Sequence, residues 1–346
     1  MASWNSYEIF VRCCTERDRL RCEMSTVINE VSSRTYARLG QSGALFGMGI
    51  FDAMEILGNI FVLTADMGKP AGMGRFKTRC PNYFINVGIA EQNLIGMAAG
   101  IASEGHSVVA SAQAAFISMR SFEQVRQYMG YMNAPIVTVG VNAGFGLTFF
   151  GNTHYAIEDL ALLRTVPGIS VISPSDAGQA VKAIVAALTS KSPVYIRCTG
   201  GLNTLPVHKS DYEFKIGKAI EVKSGADVVI FATGAVTANA LEAANKLEKH
   251  GISTAVIDFH TIKPLDTDCI SRYVGSKLFV SVEEHNVVGG LGGAIAEHLV
   301  SLDVRTRLLC LGIQDRFFVP GDYSYLIQQS RLDPDSIHDD ILSALS

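Results

Sequence analysis

Residues 84–104 read FINVGIAEQNLIGMAAGIASE, and this stretch constrains the fold more than any other. It opens as a short strand, Phe84-Ile85-Asn86-Val87, turns at Gly88, and continues as a helix rich in Ala, Gly and Met. A strand feeding a helix through one glycine is the repeating piece of a parallel α/β sheet. A single carboxylate, Glu91, stands near the helix start in a segment otherwise almost free of charge. A carboxylate in an apolar site is costly and is driven to hold its proton more tightly, which suits it to proton transfer near neutral pH. The plainer reading is an acid favoured by the positive end of a helix. Spacing alone favours that plainer reading.

The rest of the chain repeats the pattern. Helices are expected over 51–57, 117–131, 157–165, 177–189, 235–250 and 289–302. Strands are expected over 60–65, 107–111, 135–141, 169–173, 193–197, 227–232, 253–258, 278–282 and 307–311. Alternation of this kind argues for parallel sheets covered on both faces. Leu205 to Phe214, polar and carrying Pro206, reads as a linker. The fold class is therefore α/β, with two doubly wound domains: a first domain over 47–204 and a smaller one over 218–346 with a mixed sheet. Residues 205–217 join them, and residues 1–46 form an N-terminal extension in which 25–39 suit a polar helix. Asp66 falls at the carboxyl end of the first strand, where open α/β sheets bind ligands.

At 346 residues and 48% hydrophobic, the chain can build two cores. A net charge of -4 with no basic run gives no footprint for nucleic acid. The most apolar window, 44–63, is interrupted by Asp52, Glu55 and Asn59, which argues against a membrane span. Seven cysteines without metal-type spacing read as reduced thiols of a cytoplasmic protein. Gly289-Gly290-Leu291-Gly292-Gly293 is too common a pattern to assign to a phosphate.

The motif NVGIAEQNLIGMAAG, with IDFHTIKPLD and SVEEHNVVGGLGGAIAEHL further on, resembles the pyrimidine-binding and C-terminal domains of transketolases and related thiamine diphosphate enzymes. The resemblance covers roughly residue 47 to the end. It implies that Glu91 hydrogen-bonds a ring nitrogen of the cofactor's aminopyrimidine. It implies that Phe116, in QAAF where the family has a motif like FAAF, stacks on that ring, with Gln113 altering one wall. The Gly-Asp-Gly motif and downstream Asn that bind diphosphate and magnesium in the family are missing. No metal ligand is therefore assigned to this chain. The resemblance implies an N-terminal partner subunit that carries the diphosphate and magnesium, an α2β2 complex, and an active site at the interface.

The stretch NAGFGLTFFGNTH, 142–154, resembles the family's HxxxGxGxDGxTH, whose two His and one Asp contact a ketose. His154 is kept. Asn142 stands for the first His, and Phe150, beside Phe149, stands for the Asp. Gly200 falls where split transketolases place a phosphate-binding Arg, Gly47 is a looser counterpart of a second, and Arg197 matches a structural Arg. Losing an Arg fork weakens phosphate recognition. Phe cannot replace a hydroxyl-binding Asp without loss of polyol recognition. These changes imply a two-carbon ketol transferase or lyase acting on an unphosphorylated, apolar α-hydroxyketone, for example a steroid ketol side chain as in the steroid side-chain desmolases. An ordinary split transketolase, a beta subunit of a 2-oxoacid dehydrogenase and a non-catalytic subunit are the alternatives. Retention of Thr153-His154 and of the IKPLD segment favours the transketolase side over the 2-oxoacid dehydrogenases.

Overall fold

A computed structural model describes residues 27–199, 205–302 and 304–346. The expected two α/β layers are present. The first sheet has the order β10-β5-β6-β4-β3-β1-β2. Its strands are β1 (Ile60–Thr64), β2 (Phe84–Asn86), β3 (Ser107–Gln113), β4 (Ile136–Ala143), β5 (Ser170–Ile172), β6 (Val194–Thr199) and β10 (Thr261–Lys263). All pair in parallel except β10, which joins β5 antiparallel. The second sheet has the order β12-β11-β8-β9-β7. It contains β7 (Ile220–Lys223), β8 (Val228–Thr233), β9 (Thr254–Asp258), β11 (Leu278–Asn286) and β12 (Leu308–Ile313), with β7 alone antiparallel.

Burial on both faces explains why the central strands read as continuous apolar runs: every residue of β8 is buried. On one face of the first sheet, Phe46, Ile50, Ile184 and Ala187 pack against Val139 and Ile196. On the other, Leu94 and Ala98 belong to a cluster that runs through Leu160 and Leu163 to Phe259, Ile262 and Ile295 of the second unit. β10 extends this union, because a strand of the second unit completes the first unit's sheet.

Several elements differ from the sequence expectation. The helix expected over 117–131 is a π-helical turn at Phe116–Arg120, a break at Ser121, and a short helix Phe122–Gln124 running into a second π-helical turn, Val125–Tyr131. Ser118 and Ser121 donate their hydroxyls to the carbonyls of Ala114 (2.6 Å) and Ile117 (2.8 Å), and such back-bonding competes with regular helix. A helix, Gly74–Arg79, lies between β1 and β2, where no helix is expected. β7, β10 and the helices Thr267–Arg272 and Tyr323–Gln329 lack a legible apolar period, whereas the unexpected helix Pro334–Leu345 has one, with Ile337, Ile341 and Leu345 on one face.

The extension contributes a helix, Glu30–Ala44, with a capping box at Asn29 and Ser32. It packs against Ala177–Thr189 through Ile28, Tyr36, Ala44, Ala177 and Val181. Gln41 donates to the carbonyl of Pro174 and accepts from the amide of Thr199, both at 2.9 Å. Residues 1–26 of the extension, including the cysteines at 13, 14 and 22, lie outside the described residues. Cys198, Cys269 and Cys310 are free thiols. Among the described residues no helix is long and apolar enough to cross a membrane.

The segment after 205 is tied down by polar groups from both units. Asp176 accepts from the amides of Val207 (2.9 Å) and His208 (3.1 Å). His208 Nε2 lies 2.7 Å from Asp258 Oδ2 at the end of β9, which also accepts from Ser175 Oγ and Gln179 Nε2, both at 2.8 Å. Burial disfavours the charge on each partner, but their mutual hydrogen bond and attraction outweigh it. His208 is thereby raised and Asp258 lowered. A raised histidine stabilises the fold below its ordinary value of 6.5 and loses that contribution as pH climbs through the shifted value. A lowered aspartate stabilises above 3.8 and loses it as pH falls. The clasp is therefore strongest between those two ordinary values. The destabilisation caused by His208→Gln, followed by urea denaturation, should be larger at pH 5.5 than at pH 9. An equal loss at both would show that the imidazolium charge does not contribute.

Candidate active site

The carboxyl ends of β1 to β4 carry a row of polar side chains. Asp66 follows β1 with a left-handed φ of 56° and is exposed. Asn86 at the end of β2 ties it in place: its Oδ1 accepts from the Asp66 and Gly88 amides, both at 3.0 Å, and its Nδ2 donates to Asp66 Oδ1 at 3.1 Å. Asp66 borders a cleft of about 240 Å³ lined also by Lys69, Met73, Lys77 and Phe84, which shares no lining residue with the group described next. Gln113 ends β3, and Asn142, with φ 55°, lies near the end of β4. Asn142 Nδ2 reaches Gln113 Oε1 at 3.5 Å.

Gly88, with φ 77°, turns the chain so that Glu91 becomes the first residue of the helix Glu91–Ser103. The side chain is 3% exposed. Its surroundings correct the expectation of a purely apolar site. Arg120 Nη1 donates to Glu91 Oε2 at 2.8 Å, and the guanidinium carbon lies 4.1 Å above the centre of the Phe116 ring. His154 packs edge-on against Phe116 at 5.2 Å, and Phe150 lies 4.9 Å from the same imidazole. Glu91, Arg120, Phe116, His154 and Phe150 thus form one connected group. Phe149 and Phe150 are 76% and 64% exposed, at the outer rim. Arg120 carries no signal in the sequence, because nothing in the spacing of residues 29 apart marks a contact.

The loop that carries His154 is built from both units. Gly144 has φ 61°, and a Cβ there would fall 2.1 Å from Glu284 Oε1. Glu284, on β11, accepts from the Phe145 amide at 2.8 Å and from the Tyr323 hydroxyl at 2.6 Å. Burial pushes its carboxyl up, against the opposing charge of Arg197 and the Tyr323 hydroxyl. Asn152 exchanges two hydrogen bonds with the backbone of Phe318, at 2.8 and 3.1 Å. Within the loop, His154 Nδ1 lies 2.9 Å from Thr153 Oγ1.

Arg197 is buried in structure rather than facing the pocket. Its Nε donates to both oxygens of Asp159, at 3.0 and 2.9 Å, and its Nη2 donates to the carbonyls of Ala156 (3.0 Å) and Glu284 (2.8 Å). The glycine run at 289–293 is also structural. Leu291 and Gly292 amides donate to Glu283 at 2.7 and 2.9 Å, and a Cβ on Gly289 would lie 2.9 Å from Ala161 Cβ. Gly200 lies outside the described residues.

A buried carboxylate beside an aromatic face and an imidazole suits a flat nitrogen heterocycle: one oxygen to bond ring nitrogen and a face to stack on. The same residues do not suit a metal. Among the described residues no group of three His, Cys, Asp or Glu could hold one.

The pyrimidine-binding domain of transketolases matches residues 41–203, and the transketolase C-terminal domain matches 217–337. The fold is a transketolase-type α/β pair, and the chain belongs to the transketolase family. It is 32% identical over 280 residues to one subunit of the apulose-4-phosphate transketolase of Phocaeicola vulgatus, covering 81% of this chain and 89% of that one. It is 35% identical over 268 residues to a 6-deoxy-6-sulfo-D-fructose transketolase subunit of a Clostridium species, covering 77% and 83%. A solved split-gene transketolase, an inactive β4 tetramer, superposes with a TM-score of 0.77 at 34% identity, covering 89% and 97%. Transketolases generally use thiamine diphosphate and a divalent metal.

Asp159→Ala should cost about 3–5 kcal/mol, because it strands the Arg197 charge in the interior. Urea denaturation measures this, and a loss below about 1 kcal/mol would show that the guanidinium finds water.

Proposed function

We propose that this chain is the C-terminal subunit of a thiamine diphosphate-dependent enzyme that cleaves or transfers a two-carbon ketol unit. The apposition of Glu91, Phe116 and His154 carries this reading. An N-terminal partner subunit supplies the diphosphate and magnesium site, and the working assembly is α2β2. Thiamine diphosphate, when bound, supplies the nucleophilic carbon and the electron sink for breaking a bond beside a carbonyl.

Glu91 would hold the pyrimidine ring nitrogen by sharing a proton with it, and Phe116 would offer its face to the ring. Asp66, Gln113 and Asn142 bound the same carboxyl edge of the sheet. His154 acts on the substrate. Thr153 Oγ1 also lies 3.5 Å from the Phe150 carbonyl. With its hydroxyl turned there, Thr153 accepts the Nδ1 proton and leaves Nε2 as the base. His154 Nε2 then takes the proton of the hydroxyl whose carbon becomes the leaving carbonyl.

Phe149 and Phe150 support the finer reading that the substrate is an unphosphorylated, apolar ketol such as a steroid side chain. Phe150 presents its ring beside His154, with Phe149 exposed next to it in the chain, where a sugar-binding site would offer hydroxyl acceptors. The names of the relatives support the second reading, a split transketolase for sugar phosphates. Cleavage assays with the reconstituted complex separate the two, using xylulose 5-phosphate and a corticosteroid with a 17-hydroxy ketol side chain. Steroid cleavage with little sugar-phosphate turnover is expected; the reverse result selects the sugar-phosphate reading.

Glu91→Gln should lower kcat by about 100-fold or more without lowering the melting temperature. Near-normal turnover would remove Glu91 from the mechanism. Phe150→Asp should move kcat/KM toward polyhydroxylated ketols, and an unchanged ratio would place Phe150 away from the substrate.

A further inference from the structure

Arg120 makes both contacts assigned above to the cofactor's pyrimidine ring. Its guanidinium is a flat, nitrogen-bearing group. It donates to Glu91 Oε2 at 2.8 Å and covers the Phe116 ring at 4.1 Å. Stacking and a planar N–H donor edge are what distinguish Arg from Lys, and a protonated heterocycle offers the same pair of features. One carboxylate oxygen and one ring face do not serve both groups together.

We propose that Arg120 competes with the aminopyrimidine for Glu91 and Phe116, so that the ring enters by displacing the guanidinium to solvent. This rests on the reading of Glu91 and Phe116 given above. Three local facts fit the role. Arg120 ends a π-helical turn, Phe116–Arg120, and Ser121 after it leaves helical geometry with φ −102° and ψ 19°. Single π turns of this kind recur at functional sites. The Arg120 side chain is 47% exposed while Glu91 is 3% exposed. The cation can therefore swing into water at little cost, whereas the carboxylate cannot. A buried carboxylate stripped of its partner is expensive, so the guanidinium keeps Glu91 satisfied until another donor arrives. The competition sets cofactor affinity and makes the exchange of ring for guanidinium a single event.

The test uses the complex of this chain with its N-terminal partner, freed of cofactor by dialysis. Thiamine diphosphate, with magnesium in excess, is titrated into it by isothermal calorimetry. Arg120→Ala should bind thiamine diphosphate about five- to tenfold more tightly than the natural chain, the scale of one partly exposed ion pair plus a cation–π contact. Arg120→Met keeps the apolar stem and should do the same, which covers the case in which the alanine variant folds poorly. Weaker or unchanged binding in both variants overturns the proposal, and weaker binding would make Arg120 a companion of the ring instead. Glu91→Gln and Phe116→Ala are titrated alongside. If neither weakens binding, the assignment of the pyrimidine site itself fails and the competition falls with it. If both weaken binding while the Arg120 variants do not tighten it, only the competition fails.

Discussion

The site depends on one buried carboxylate of the second unit, Glu284. It accepts from the Phe145 amide and the Tyr323 hydroxyl, while its own carbonyl receives Arg197 from β6. Gly144 passes directly beneath it in a conformation open to glycine, at a distance no side chain tolerates. Phe145 is fixed as a result, with its ring against Tyr155 and Phe318. The loop leading to His154 therefore takes its shape from a strand more than a hundred residues away. His154 meets Phe116 because the two units are locked together.

The lock is largely polar, which bears on precision more than on stability. The bonds from Arg197 to the Glu284 carbonyl, from the Phe145 amide to the Glu284 carboxylate, and from Ser175 and Gln179 to Asp258 cross between the units and are all buried. Desolvating such groups cancels much of their attraction, so they add little net stability over apolar packing. Each does require a particular geometry, since an unpaired member is heavily penalised. The apolar cluster that crosses between the units supplies the burial that holds them together. The polar pairs set register. The role proposed for the His154 loop calls for groups placed to within a fraction of an ångström, which polar pairs specify better than apolar packing does.

Much of the frame was legible from residue order. The runs at β1, β3, β4, β8 and β9 are apolar because both faces are covered, and their positions follow. The helix Ala177–Thr189 could be read to the residue because Asp176 caps it and its apolar period is clean. β10 could not be read, since three residues of mixed polarity pair only once another unit presents β5. The broken segment 116–131 could not either, because serine back-bonding and π turns leave the apolar pattern helix-like. At the site, Glu91, Phe116 and His154 were recognisable from local motifs. Arg120 was not, because its contact with Glu91 exists only where two separate helical segments meet.

The sequence by itself determined the alternation of strand and helix, the doubly wound class, and the strand-turn-helix that delivers Glu91 to the carboxyl edge of the sheet. These are consequences of local periodicity and of a glycine where φ must be positive. Only the tertiary structure decided that Glu91 has a cationic partner, that Phe116 has a guanidinium over its ring, and that the His154 loop hangs from Glu284. Those facts depend on distances between segments far apart in the chain. Side-chain contacts of that kind are fixed by how the layers pack, and no periodicity encodes them.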